Sequence, residues 1–245
     1  MTTVKTGIRT MFHFHGANRK FAPQHVPIKE LKKKKVKLFY LGHLLLMDAL
    51  EEKDDEYGLA VCRLLHDVQQ AGMETVVDIA TERQAQRYQD IVVPTLPYID
   101  HFVINELEAQ KTADIKIREP HGTISLDGIR KAANFLLDNG VKKNVVIHMP
   151  EGAYWLNKAK KGIWYPSFVI PPNLFRATCG AGDAFCSGIL AGLYKKWERE
   201  KTLLLATAAS AASISSPHNS DGIQPIKETM QMAKKYILRE SIVYD

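Results

Sequence analysis

The chain has 245 residues, of which 45% are hydrophobic and 24% charged, and a formal net charge of +6. That is enough for one sizeable α/β core or two small ones. No segment approaches the roughly 18 consecutive apolar residues of a membrane span, and Met1 to Arg9 has no apolar stretch of the secretory-signal kind.

In chain order, Thr10 to His15 alternates loosely between polar and apolar residues, and Gly16-Ala17-Asn18 then reads as a turn. The basic run Lys32 to Lys35, with Lys37, stands directly before a strand predicted over Val36–Leu41. A nucleic-acid surface needs a stripe of charge with groove-fitting or aromatic elements. This run sits in a connection and reads as a solvated loop, so no nucleic-acid partner is expected. Further strands are predicted at Thr75–Ile79, His101–Ile104 and Asn144–Met149. They alternate with helical patterns near Tyr57–Ala71, Arg83–Asp90, Asn105–Thr112 and Ser125–Asn139. This alternation argues for a largely parallel sheet covered by helices, with ligands gathering at the carboxyl ends of the strands. From Asn144 to Leu156 the pattern is strand, tight turn, strand. A small-residue helix, Leu203 to Ser216, breaks at the turn cluster Pro217 to Gly222.

The segment Thr178-Cys179-Gly180-Ala181-Gly182-Asp183 carries the chemistry. Two glycines precede a carboxylate where a helical pattern starts, with apolar residues at Phe185, Ile189, Leu190, Leu193 and Trp197. Free N–H groups and the macrodipole make a helix N-terminus attractive to anions. Glycines let a phosphate come close to the backbone. A carboxylate there would repel the anion unless it has work to do, and taking a proton from an attacking hydroxyl is suitable work. Gly188 and Gly192 fall on one face, which allows close packing against a neighbour. Asn105 and Glu108 have the spacing of an N-cap and its capping-box acid. Equally, they offer oxygen ligands of the kind Mg²⁺ takes.

Gly180 to Phe185, continuing through Gly188-Ile189-Leu190-Ala191-Gly192-Leu193, resembles the C-terminal signature of the PfkB (ribokinase-like) family of carbohydrate and nucleoside kinases. The resemblance implies an ATP-dependent sugar kinase. Asp183 would be the base, and the backbone of Cys179, Gly180, Ala181 and Gly182 the anion hole. Asn105 and Glu108 match the family's N-x-x-E motif and would hold Mg²⁺, mostly through water. ATP would lie near Thr178, His148, Gly152, Thr207 and Asn219. His148 has two readings, facing the phosphates or serving as a structural strand-end residue. Two positions depart from the pattern: Ala177 stands where an Asp is usual, and Cys179 where a Thr is common.

Residues 1–30 read as the remnant of a β lid and acceptor region, and 31–245 as the nucleotide-binding core. Asn18, with Arg9 and His13, is a candidate acceptor contact. The family's first core strand, most of its lid and its Gly-Gly sugar motif have no counterpart, so the resemblance covers the later part of a full member. Lid strands of this kind commonly make dimer contacts, so a homodimer is expected. Cys62, Cys179 and Cys186 lack metal spacing, and an odd, low count suits reduced thiols in the cytoplasm. A small sugar or related metabolite is the expected partner. A nucleoside kinase, or a non-catalytic nucleotide-binding protein on the same fold, are the alternative readings.

Overall fold

The computed structural model describes residues 2–3, 9–10, 14–176, 178–216 and 221–242. Its elements are β1 (Thr2–Thr3), β2 (Arg9–Thr10), α1 (Ile28–Lys33), β3 (Leu38–Leu44), β4 (Lys53–Asp54), β5 (Gly58–Leu59), α2 (Ala60–Gln70) and β6 (Glu74–Ile79). There follow α3 (Val93–Thr95), β7 (His101–Asn105), α4 (Glu106–Ala113), α5 (Leu126–Asp138), β8 (Asn144–Met149), β9 (Gly152–Asn157) and β10 (Gly162–Pro166). The last are α6 (Ala181–Lys195), α7 (Arg199–Ile214), α8 (Ile226–Met230) and α9 (Met232–Lys235).

Phe102-Val103-Ile104 and Val145-Val146-Ile147 are buried along their whole length. Such continuous apolar runs suit strands covered on both faces, the parallel-sheet condition. The main sheet has the order β10-β9-β8-β7-β6-β3. β3, β6, β7 and β8 are parallel, and β9 and β10 extend the sheet antiparallel from β8. Side chains alternate between two apolar layers. Phe102, Ile104, Val145, Ile147 and Leu156 join the layer made with α2, α4 and α5. Val103, Val146 and Trp155 join Phe185, Ile189, Leu203 and Ala206 of α6 and α7. Each fully buried Leu, Ile or Phe adds roughly 1.5–3 kcal/mol of transfer free energy.

The helix expected over Arg83–Asp90 is displaced. A π-helical turn covers Tyr88–Val92, α3 follows, and a 3₁₀ turn spans Leu96–Tyr98. Tyr88, Val92 and Leu96 are all fully buried at four-residue spacing and hold the segment on the core. Pro94 and Pro97 do not end it, because each sits at the start of a new helical type, where a missing N–H costs little. β10 is a strand the pattern did not announce. The lysine run also differs from a plain connection: Lys32 and Lys33 form the last turn of α1, a position favoured by the macrodipole.

Among the described residues near the N-terminus, Arg9–Thr10 is strand and pairs antiparallel with Thr2–Thr3. Residues 11–13, including His13, lie outside the described residues. Phe14 and His15 are not strand, and Gly16–Lys20 is a 3₁₀ turn rather than a simple reversal. Phe21, Val26, Ile28 and Leu31 pack on the main core, and α1 runs across the boundary drawn between residues 30 and 31. Among the described residues, no helix is long and apolar enough to cross a membrane.

Candidate active site

Gly180 has φ +79°, a left-handed conformation that glycine takes without steric cost, and α6 begins at the next residue. The Ala181 N–H donates to the Thr178 carbonyl at 3.3 Å, and the Ala184 N–H to that of Gly180 at 2.9 Å, closing the first turn. Ala184, Phe185 and Cys186 are buried and anchor this turn, whereas Thr178 is exposed. The Asp183 side chain is 60% exposed, so it projects from the anchored turn into open space.

His148 lies beneath the turn. Its ring packs on Phe185 with centroids 4.9 Å apart. A Cβ built on Gly182 would meet His148 Cε1 at 3.4 Å, an ordinary contact. Burial pulls the His148 pKa down from 6.5 to about 4, so the ring is neutral at pH 7. On the adjacent strand, the register partner of His148 is Asn105. The sequence-expected Asn105 and His148 therefore sit side by side at the carboxyl ends of β7 and β8.

Asn105 and Glu108 form a complete capping box. The Glu108 N–H donates to Asn105 Oδ1 at 2.9 Å, and the Asn105 N–H to Glu108 Oε2 at 2.9 Å. Thr81, just past β6, donates from Oγ1 to Glu108 Oε1 at 2.7 Å and accepts from Asn105 Nδ2 at 3.1 Å. Glu108 is only 4% exposed, and burial pushes its pKa up to about 7.

A second group converges on Asp183 that the sequence reading missed. Asp78, near the end of β6, is 8% exposed. Its Oδ2 accepts from Tyr40 Oη, and its Oδ1 from the His43 N–H, both at 2.5 Å. One polar atom from each of His43, Asp78 and Asp183 lies within 4.8 Å of the others. Burial raises the Asp78 pKa, and Asp183 adds to that rise, while Tyr40 and His43 oppose it. Asp78 also acts electrostatically on Glu108 and so links the two halves of the site. The available signal was position: Asp78 and His43 both stand near the carboxyl ends of parallel strands.

The pattern described as pfkB family carbohydrate kinase matches residues 1–226. The chain belongs to the pfkB family. Among pfkB relatives, the 1-phosphofructokinase of Escherichia coli K12 is 36% identical over 86 residues, 35% of this chain and 26% of that enzyme. The adenosine kinase of Saccharomyces cerevisiae is 25% identical over 199 residues, 81% of this chain and 55% of that enzyme. Arabidopsis thaliana ribokinase, solved with ribose and ATP, superposes with a TM-score of 0.65 at 16% identity, over 84% of this chain and 57% of that one. The matches thus span about a quarter to somewhat over half of each relative's length. The shared architecture is the ribokinase-like one.

Of the other expected pfkB positions, Gly152 and Thr207 lie inside the packing. Gly152 is buried at the start of β9, where a Cβ would fall 2.5 Å from the Tyr165 carbonyl oxygen and 2.6 Å from Trp164 Cζ2. Thr207 is 5% exposed within α7, and its Oγ1 has no hydrogen-bond partner. Asn18 is exposed in the 3₁₀ turn near the N-terminus. Asn219 lies outside the described residues. Cys186, one turn into α6, is buried, and burial pushes its thiol pKa up, so the helix start does not activate it.

Proposed function

We propose that this pfkB protein transfers the γ-phosphate of ATP to a hydroxyl of a small carbohydrate, with Asp183 as general base. The observation that carries this reading is one helix start. There the left-handed Gly180 turn and an exposed carboxylate stand together at the carboxyl edge of the sheet. Asp183 Oδ accepts the hydroxyl proton as the acceptor oxygen attacks the γ-phosphorus and the bond to the ADP oxygen breaks. The backbone N–H groups of Cys179, Gly180 and Gly182 in that turn steady the charge on the transferring group, while the Ala181 N–H closes the turn on the Thr178 carbonyl. Neutral His148 adds no positive charge beneath them and supports the turn by packing.

Asn105 and Glu108 fit an Mg²⁺ role. Both offer oxygen, and each Glu108 oxygen accepts one hydrogen bond, leaving lone-pair capacity for a metal-bound water. Mg²⁺, when bound, neutralises phosphate charge. Thr178 stands beside the turn as a phosphate contact and Asn219 is kept as a nucleotide contact, while Gly152 and Thr207 shape the region through packing. Asn18 is the proposed acceptor-side contact, residues 1–30 the acceptor-side unit, and the N-terminal strands a dimer contact. The yeast adenosine kinase match along most of the chain supports a second reading, a nucleoside acceptor.

The test is ADP release by the purified chain, with ATP and Mg²⁺, against a panel of sugars and nucleosides. Asp183→Asn should lower turnover by at least a thousandfold while calorimetric ATP binding stays within about threefold. ATP binding with no acceptor-stimulated ADP release across the panel would instead identify a non-catalytic nucleotide-binding protein.

A further inference from the structure

The pairing of β3 with β6 slips between Leu41 and Leu44. Within that bulge His43 takes φ +58°, in the left-handed region, where His is commoner than bulky or β-branched residues but still unusual. Bulges re-aim side chains and recur beside active sites. The ring re-aimed here has one nitrogen toward each of two acids from other elements. Nδ1 is 3.6 Å from Asp78 Oδ1 on β6, and Nε2 is 3.7 Å from Asp183 Oδ1 on α6. Asp78 is fixed from both sides, by Tyr40 Oη and by the His43 N–H. It is therefore a fixed partner for the imidazole, whose other nitrogen faces Asp183.

We propose that His43 is a positioning residue for Asp183, holding the carboxylate beside the glycine turn. This rests on the reading of Asp183 as the base. The titratable groups facing the ring or its two acids are Tyr40 from β3, Asp78 from β6, and Asp183 and Cys186 from α6. Glu108 from α4 acts through Asp78. The two acids each stand within 4 Å of a ring nitrogen.

The test has two arms on the full chain. In the first, the His43 imidazole NMR signals are compared in the parent and in Asp183→Asn. The substitution should shift the resonances on the Nε2 side of the ring. Unmoved His43 signals overturn the proposal whatever the protein's activity. In the second arm, His43→Asn keeps a residue tolerant of the left-handed backbone while removing the ring. With an acceptor that supports turnover, kcat should fall about tenfold while KM for ATP holds. An unchanged kcat, or a KM for ATP that rises in step with the loss, also overturns it. A parent inactive on the whole panel sinks the kinase reading, and the NMR arm still decides the His43–Asp183 pairing.

Discussion

A Cβ added to Gly188 would stand 2.4 Å from the Ala206 Cα, so α6 and α7 touch backbone to backbone. Gly192 repeats the contact one turn later against Thr202, where a Cβ would lie 2.2 Å from the Thr202 Cγ2. These helices form one plate under the site, and the plate fixes the height of the Asp183 turn. Gly188→Ala should therefore destabilise the fold by about 1–3 kcal/mol through overpacking, read as a lowered urea midpoint. An unchanged midpoint would mean that the two helices separate easily.

Gly182 behaves oppositely. Its nearest neighbour across the missing Cβ is His148 Cε1 at 3.4 Å, so the fold itself has room for alanine. Gly182→Ala should leave the urea midpoint unchanged or raise stability by up to about 1 kcal/mol through helix propensity. Its methyl would stand where a phosphate must approach, and turnover should fall at least tenfold. Full activity in this variant would show that the transferring phosphate does not use this turn.

Glu108 has two separable duties. Glutamine can keep the capping box with Asn105 but lacks the charge that holds a metal-bound water. Glu108→Gln should thus keep near-parental stability while raising, at least fivefold, the Mg²⁺ concentration for half-maximal activity. An unaltered Mg²⁺ dependence would reduce Asn105 and Glu108 to a helix cap alone.

His148 should make stability depend on pH. Its folded pKa, about 4, lies below the ordinary 6.5. The unfolded chain therefore binds the extra proton between these values, and the histidine's contribution is whole above 6.5 and lost as pH falls toward 4. The loss is at most about 1.4 kcal/mol per pH unit within that window. Urea midpoints at pH 7 and pH 5 should drop more for the parent than for His148→Gln; the carboxylates titrate in both, so only the difference counts. Equal drops would mean that the ring protonates in place.

Sequence alone determined the alternation of parallel strands with helices, the start of α6, the Asn105–Glu108 spacing and the small face of α6. All are local: an apolar run, a glycine of special conformation, a capping pair and an i, i+4 stripe are each written within a few residues. The course of residues 81–98 was less legible, because Tyr88, Val92 and Leu96 hold a mixed helix on the core against two prolines. Tertiary structure alone decided that His43 and Asp78, with Tyr40 holding Asp78, meet Asp183 across more than a hundred residues of chain. No spacing rule marks them, since their proximity comes from parallel strands ending at one edge and from a slipped register that turns His43 toward its acids.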